Sequence, residues 1–145
     1  MGKSIDCILY FPDTYNQSSF HFSTLYLLHG YSQNQSVWNR ILSLETLADR
    51  YQLIFICPDG NYNSWYIDSP QKKKSSYATF ISKELTYAID SLFRTHASKS
   101  GRGIMGSSMG GHGALYAALH FNNIWRGAAS ISGIMDLTEF PYEWD

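Results

Sequence analysis

The sequence predicts an α/β fold, with a mostly parallel sheet of about five strands and helices on both sheet faces. Short apolar runs alternate with longer stretches whose apolar residues recur at helical spacing, which is typical of βαβ units. The 145 residues are enough for one domain with a hydrophobic core. No internal repeat divides them, so residues 1–145 are treated as a single domain.

Five apolar runs are predicted to be strands, at residues 4–11, 25–28, 53–57, 103–105 and 127–132. Three helices are predicted between them, at residues 36–50, 77–93 and 109–121. The first helix would begin at Ser36, whose hydroxyl suits an N-cap. A polar, aromatic loop at residues 61–76 precedes the second helix.

The composition is that of an ordinary globular protein, with 44% hydrophobic residues, 16% charged residues and a formal net charge of −1. The one charge run, Lys72-Lys73-Lys74, is explained by a solvated loop, so no nucleic-acid partner is expected. No run is long enough to cross a membrane and the first residues lack a signal peptide, so we expect no membrane partner. The default location is cytoplasmic, although a longer parent protein could carry an export signal.

Cys7 and Cys57 are the two cysteines, and both lie inside apolar runs. Buried free thiols are the simpler interpretation, with a disulfide as the alternative. The sequence contains no metal-ligand spacing and no nucleotide-binding loop, so we expect no metal and no cofactor.

The residues Gly106-Ser107-Ser108-Met109-Gly110 match the pattern Gly-x-Ser-x-Gly. In a strand–turn–helix context this pattern places its serine on a tight turn above the sheet edge. Glycines are needed there because side chains would collide with neighbouring backbone. A strand is predicted before the motif and a helix after it, so we predict that Ser108 is a nucleophile. The alternative is a glycine-rich turn without chemistry.

His29-Gly30-Tyr31 follows the second predicted strand. A turn of this type supplies one backbone donor of an oxyanion hole, and the residue after the nucleophile supplies the other. The predicted donors are therefore the N–H groups of Tyr31 and Met109. The His29 side chain is interpreted as bracing the loop, with proton transfer as the alternative.

Three segments resemble the esterase D family of α/β-hydrolases: YLLHGYS at 26–32, PDGNYNSWY at 58–66 and GSSMGGHGAL at 106–115. YATFISKEL at 77–85 is similar to the helix that follows the family's aromatic loop. The family includes S-formylglutathione hydrolases, tributyrin, acetyl-xylan and feruloyl esterases, and the antigen 85 mycolyltransferases. The resemblance implies hydrolysis of a carboxylic ester through an acyl-enzyme.

The catalytic triad of this fold runs in the order Ser, then Asp or Glu, then His. The histidines after Ser108 are His112 and His120, and both precede Asp136, the first acid that follows the serine. The triad is therefore not completed within these residues. Neither His112 as a base nor Asp136 as the acid is the favoured interpretation.

Compared with the family, the five predicted strands correspond to the second to sixth strands of the fold. We therefore expect an incomplete α/β-hydrolase fold, truncated from a longer esterase and without the strands that carry the triad acid and histidine. A sheet of this kind has an unpaired edge, which could pair in a homo-oligomer.

The leading hypothesis is a serine carboxylesterase for small acyl esters, or for acetyl or feruloyl esters on sugars, that is inactive as these residues alone. Tyr62, Trp65 and Tyr66 would lie where the strands end and could stack on a sugar or phenolic ring, or form a structural cluster. The expected partner is a small-molecule ester. Alternatives are an acyltransferase of the antigen 85 type and a non-catalytic pseudoenzyme or assembly fragment.

Overall fold

The computed structural model of the protein describes residues 1–72 and 74–138. Lys73, in the predicted charge run, and the acidic residues at 139, 143 and 145 lie outside the described residues. The strands are β1 (Cys7–Tyr10), β2 (Ser23–Leu28), β3 (Leu53–Pro58), β4 (Arg102–Ser107) and β5 (Gly127–Ile131).

The five strands form one sheet in the order β1-β3-β2-β4-β5. β1 runs antiparallel to β3, and the other three pairings are parallel. The prediction of a mostly parallel, five-stranded sheet is confirmed. β2 lies at the centre, next to β4, so the segments that follow these two strands leave the sheet side by side.

The helices are α1 (Val37–Ile41), α2 (Leu44–Tyr51), α3 (Tyr77–Thr79), α4 (Thr86–Leu92) and α5 (Met109–His120). A π-helical segment (Phe80–Leu85) joins α3 to α4, so the predicted helix at 77–93 is present with an irregular middle. Short 3₁₀ helices (Asp13–Gln17 and Lys99–Gly101) complete the described elements. None of the helices in the described part of the chain is long and apolar enough to cross a membrane.

The prediction of one helix over residues 36–50 is wrong, because the chain is extended at Leu42 (φ −127°, ψ 143°) between α1 and α2. The Asn39 side chain accepts the Leu44 N–H at 3.0 Å, so a side chain replaces a helical carbonyl there. Ser36 occupies the predicted N-cap position of α1, but its side chain makes no cap bond. Its hydroxyl donates instead to the Asn34 side-chain oxygen at 2.7 Å.

Hydrophobic clusters cover both faces of the sheet, because alternate strand residues point to opposite sides. On one face, Tyr26 and Ile56 pack with the π segment, α4 and α5. On the other face, Leu27 and Phe55 pack with α1 and α2. The predicted helices on both faces are therefore present.

An apolar groove of about 330 Å³ lies between the sheet and the α1–α2 layer. Its walls include Leu25, Trp38, Leu47 and Met105. The helical layer on this face thus leaves part of the sheet's apolar surface uncovered by the described residues.

Cys7 and Cys57 are free thiols that belong to the clusters on opposite sheet faces. Burial raises the pKa of each thiol to about 12. The free-thiol interpretation holds, since side chains on opposite faces of adjacent strands do not form a disulfide.

A buried ion pair ties α4 to the sheet. The Arg102 guanidinium, at the start of β4, bonds the Asp90 carboxylate, and the two side chains are 10% and 13% exposed. Asp90 also accepts the Thr95 hydroxyl at 2.5 Å. Paired in this way, both charges tolerate burial.

Candidate active site

Ser108 lies on a sharp turn between the end of β4 and the start of α5. Its backbone has φ 53° and ψ −119°, a conformation that residues other than glycine rarely adopt. Its N–H donates to the Ile131 carbonyl at 2.8 Å, and its carbonyl accepts the His112 N–H at 3.0 Å. The strand–turn–helix context expected for the Gly-x-Ser-x-Gly pattern is present.

The two glycines of the pattern are required by close backbone contacts. A Cβ atom on Gly106 would lie 2.3 Å from the Gly110 carbonyl group. A Cβ atom on Gly110 would lie 2.2 Å from the carbonyl oxygen of Leu28 in β2. Because the obstacles are backbone atoms, α5 can sit this close to the sheet only with glycine at both positions.

The turn at residues 29–33, here called the histidine turn, lies directly beside the serine turn. β2 ends at Leu28, whose partner in the register of β4 is Gly106. A Cβ atom on Gly30 would come within 3.5 Å of the Ser107 carbonyl oxygen. The predicted backbone donors, Tyr31 and Met109, therefore belong to segments that follow adjacent strands. Met109 is the first residue of α5, where an N–H has no partner within the helix.

His29 connects the histidine turn to the aromatic loop. Its Nδ1 atom lies 2.8 Å from the Gly30 carbonyl oxygen, and its Nε2 atom accepts the Gly60 N–H at 2.7 Å. The Tyr66 hydroxyl donates to the His29 carbonyl at 3.2 Å. The side chain is fully buried, so these bonds do not compete with water. This fits the bracing role predicted for His29.

The three predicted substrate-binding aromatics lie in different environments. Tyr66 is 1% exposed and Trp65 is 5% exposed. A Cβ atom on Gly113 would come within 2.5 Å of Tyr66, so α5 packs directly on that side chain. Both rings are thus packed inside the protein in this structure, and their predicted contact with a substrate stays a prediction.

Tyr62 remains a candidate for ligand contact, since it is 56% exposed. Its ring meets the ring of Tyr31 edge to face, with centroids 4.9 Å apart. The Tyr62 carbonyl also accepts the Ser32 N–H at 2.9 Å. These two rings form an exposed aromatic pair beside the histidine turn, a contact that the sequence analysis missed.

His112 holds the segment after β5 against α5. Its Nδ1 atom lies 2.7 Å from the Ile134 carbonyl oxygen, and its ring meets Trp65 edge to face. Burial lowers the pKa of His112, so its ring favours the neutral form. Its Nε2 atom is buried, with no hydrogen-bond partner among the described residues. These contacts fit a structural residue.

Asp136 is an exposed loop residue whose carboxylate accepts the hydroxyl and the N–H of Thr138. Hydrogen bonds from Thr138 lower the pKa of this carboxyl group. A single carboxylate oxygen, Oδ1, accepts both bonds and closes a local turn, which fits the interpretation of Asp136 as an ordinary loop acid. In the described residues, no three His, Cys, Asp or Glu side chains cluster in a way that could hold a metal ion.

The sheet with its helices is part of an α/β-hydrolase fold. A serine hydrolase structure described as fluorophosphonate-binding, FphF of Staphylococcus aureus, superposes with a TM-score of 0.86 at 25% identity. That match covers 99% of this chain and 57% of the other.

The chain belongs to the esterase family whose sequence model is described as "Putative esterase", which matches residues 1–144. Esterase Rv1288 of Mycobacterium tuberculosis is 34% identical over 125 residues, which are 84% of this chain and 27% of the relative. An acetyl esterase of Caldicellulosiruptor saccharolyticus is 32% identical over 117 residues, 81% of this chain and 43% of the relative. The family resemblance is confirmed, and the chain spans less than half the length of these relatives.

Proposed function

We propose that the protein is a serine carboxylesterase in which Ser108 is the nucleophile of an acyl-enzyme mechanism. The observation that carries the proposal is the Ser108 backbone, with φ 53° and ψ −119° at the carboxyl end of β4. A strained non-glycine residue at that sheet edge is typical of functional sites. Membership of an esterase family supports the same chemistry.

In the proposed reaction, the Ser108 oxygen bonds to the ester carbonyl carbon and gives its proton to a base. The π electrons of the carbonyl move to its oxygen, and the Tyr31 and Met109 N–H groups stabilise the resulting oxyanion. The intermediate collapses, and the alcohol leaves with the proton from the base. Water then attacks the acyl-enzyme by the same steps and releases the acid.

The base and its orienting acid are proposed to come from residues outside these 145. His112 is a poor candidate, since its Nδ1 atom is bonded to Ile134 and its Nε2 atom is buried. His29 is also a poor candidate, because both of its ring nitrogens are bonded to backbone groups. An unassisted serine hydroxyl is a weak nucleophile at neutral pH, so these residues alone are proposed to be inactive or nearly so.

The proposed substrates are small acyl esters, and acetyl or feruloyl esters attached to sugars. The acetyl esterase relative supports the acetyl group. The Tyr31–Tyr62 pair supports a ring on the alcohol or acyl side, because exposed aromatic faces stack on sugars and phenols. Hydrolysis would be measured with p-nitrophenyl acetate, acetylated xylan fragments and methyl ferulate. Transfer of the acyl group to an added sugar instead of water would assign an acyltransferase.

Labelling with a fluorophosphonate probe tests Ser108 directly, with Ser108→Ala as the test variant and Ser107→Ala as the matched control. In the full-length gene product we expect strong labelling and p-nitrophenyl acetate hydrolysis that only Ser108→Ala abolishes. In the folded 145-residue chain we expect little of either. Ester hydrolysis at ordinary rates by that chain would refute the proposal that the base lies outside these residues. Activity that survives Ser108→Ala would refute the assignment of Ser108 as the nucleophile.

A second candidate is a non-catalytic assembly fragment that pairs with another copy of itself. Within the described residues β5 has a neighbouring strand on one side only, and its Ile131 side chain is 47% exposed. Unpaired strand edges recruit further strands. Size-exclusion chromatography with light scattering would support this candidate by a stable dimer that Ile131→Lys dissociates. A monodisperse monomer would refute it.

A further inference from the structure

The Gly30–Tyr31 peptide group determines where the Tyr31 N–H points. This N–H belongs to the same planar unit as the Gly30 carbonyl, and the described chain contains no cis peptide bond. In a trans peptide the N–H and C=O groups point in opposite directions. The groups that hold the Gly30 oxygen therefore set the direction of the Tyr31 N–H.

Two donors meet the Gly30 carbonyl oxygen. The Gln33 N–H lies 3.2 Å away and closes the histidine turn, while the His29 Nδ1 atom lies 2.8 Å away. The Gly30 N–H in turn donates to the Gln33 side-chain oxygen at 2.8 Å. The His29 bond is the shorter of the two at this oxygen, and its side chain is fully buried. His29 is therefore well placed to fix the peptide plane.

The tautomer of His29 is determined by Gly60. A backbone N–H always donates. The 2.7 Å bond from the Gly60 N–H to the His29 Nε2 atom therefore requires that Nε2 carries no proton. The neutral ring must then carry its proton on Nδ1, which is the form that donates to the Gly30 oxygen. Asp59 Oδ1 lies 3.2 Å from Nε2 and accepts the Asn61 N–H at 2.9 Å. In this tautomer no proton lies between Asp59 and the ring.

We propose that His29 is a positioning residue of the oxyanion hole. Gly60 selects the tautomer with Nδ1 protonated, and this N–H holds the Gly30–Tyr31 peptide with the Tyr31 N–H facing the site beside Ser108. Gly60, in the turn between β3 and the aromatic loop, thereby controls a backbone donor in the histidine turn that follows β2. This inference rests on the proposed function, because it assigns the Tyr31 N–H to the oxyanion.

The tautomer is tested on the 145-residue chain by two-dimensional NMR of the histidine ring nitrogens and carbons at neutral pH. We expect the His29 signals of a ring protonated at Nδ1 and bare at Nε2. The opposite tautomer, or a fast average of the two, would overturn the proposal. This measurement does not depend on catalysis.

The positioning role is tested by kinetics of the full-length gene product with two substitutions of His29. Each substitution retains one of the two hydrogen bonds that the ring makes. His29→Asn retains a donor near the Nδ1 position, whereas His29→Gln retains an acceptor near the Nε2 position. We expect His29→Asn to lower kcat by about 10-fold or less. His29→Gln should lower kcat by about 100-fold or more, the scale for loss of an oxyanion donor, with KM little changed in both.

Thermal unfolding of both variants separates positioning from stability, since each loses one buried hydrogen bond. His120→Gln is the matched control, because exposed His120 also bonds a backbone carbonyl through Nδ1, at 2.9 Å from the Tyr116 oxygen. It should leave kcat unchanged. Equal kcat losses in His29→Asn and His29→Gln, or a change confined to KM, would overturn the inference. A wild-type protein that hydrolyses no ester would instead refute the proposed function.

Discussion

Gly110→Ala should destabilise the protein strongly, because the added methyl group has nowhere to go. Its Cβ atom would lie 2.2 Å from the Leu28 carbonyl oxygen, while ordinary contacts begin at 3.4 Å. The helix would have to withdraw by roughly 1 Å from β2, the central strand, at a cost of about 3 kcal/mol. The gain in helix propensity on replacing glycine offsets about 1 kcal/mol at most. We therefore expect a net loss of at least about 2 kcal/mol in the free energy of unfolding.

Gly127→Ala is the matched control, because a Cβ atom at Gly127 would meet nothing within 4 Å. This substitution should change the free energy of unfolding by about 0.5 kcal/mol or less, or stabilise slightly by restricting the unfolded chain. Urea titration followed by tryptophan fluorescence and circular dichroism measures both variants. If Gly110→Ala unfolds at the wild-type urea concentration, α5 is not seated on β2 as described.

Three further features predict measurable changes in stability. The left-handed φ of Ser108 costs a non-glycine residue free energy that glycine does not lose. Ser108→Gly should therefore be about 1–2 kcal/mol more stable than Ser108→Ala. Equal stabilities would argue against backbone strain at this residue. The Cys57 thiol keeps its proton in the folded state up to a pKa of about 12, whereas the unfolded chain loses it near 9. Stability should therefore fall as pH rises above 9, by at most about 1.4 kcal/mol per unit for this thiol. Cys57→Ala should show a shallower decline in urea titrations across this range, and an unchanged slope would contradict the assignment. Asp90→Ala should cost about 3 kcal/mol by leaving Arg102 buried and unpaired. Adding Arg102→Met should recover part of that loss, and no recovery would mean that the charge is not the cause.

The sheet and the serine turn could be predicted from sequence because their signals are local. Each parallel strand is a short apolar run, and alternation with helical stretches implies parallel neighbours. The glycines around Ser108 report a tight turn within five residues. Local patterns of this kind need no knowledge of distant contacts.

The aromatic loop and the first helix could not be predicted in the same way. The sequence left Trp65 and Tyr66 as either a stacking surface or a structural cluster, and it does not show that Gly113 of α5 leaves room for the Tyr66 ring. The bond between His29 and Gly60 spans 31 residues, and no periodicity signals it. At the break between α1 and α2, the Asn39 side chain bonds the Leu44 N–H and the Glu45 carboxylate, and these bonds compete with an otherwise helical pattern.

The pairing of Leu28 with Gly106 fixes the distance between the histidine turn and the serine turn. Adjacent strands in a sheet are about 4.8 Å apart, and a slip of one residue moves a chain by about 3.3 Å. The separation of the serine turn from the histidine turn is therefore set by the backbone ladder, whereas the His29 bond to Gly60 is proposed to orient the Gly30–Tyr31 peptide. Loop residues outside these contacts can change in length and composition while the spacing between the proposed nucleophile and oxyanion donors stays the same. Adaptation to new substrates can thus occur in those residues without moving the proposed reacting groups.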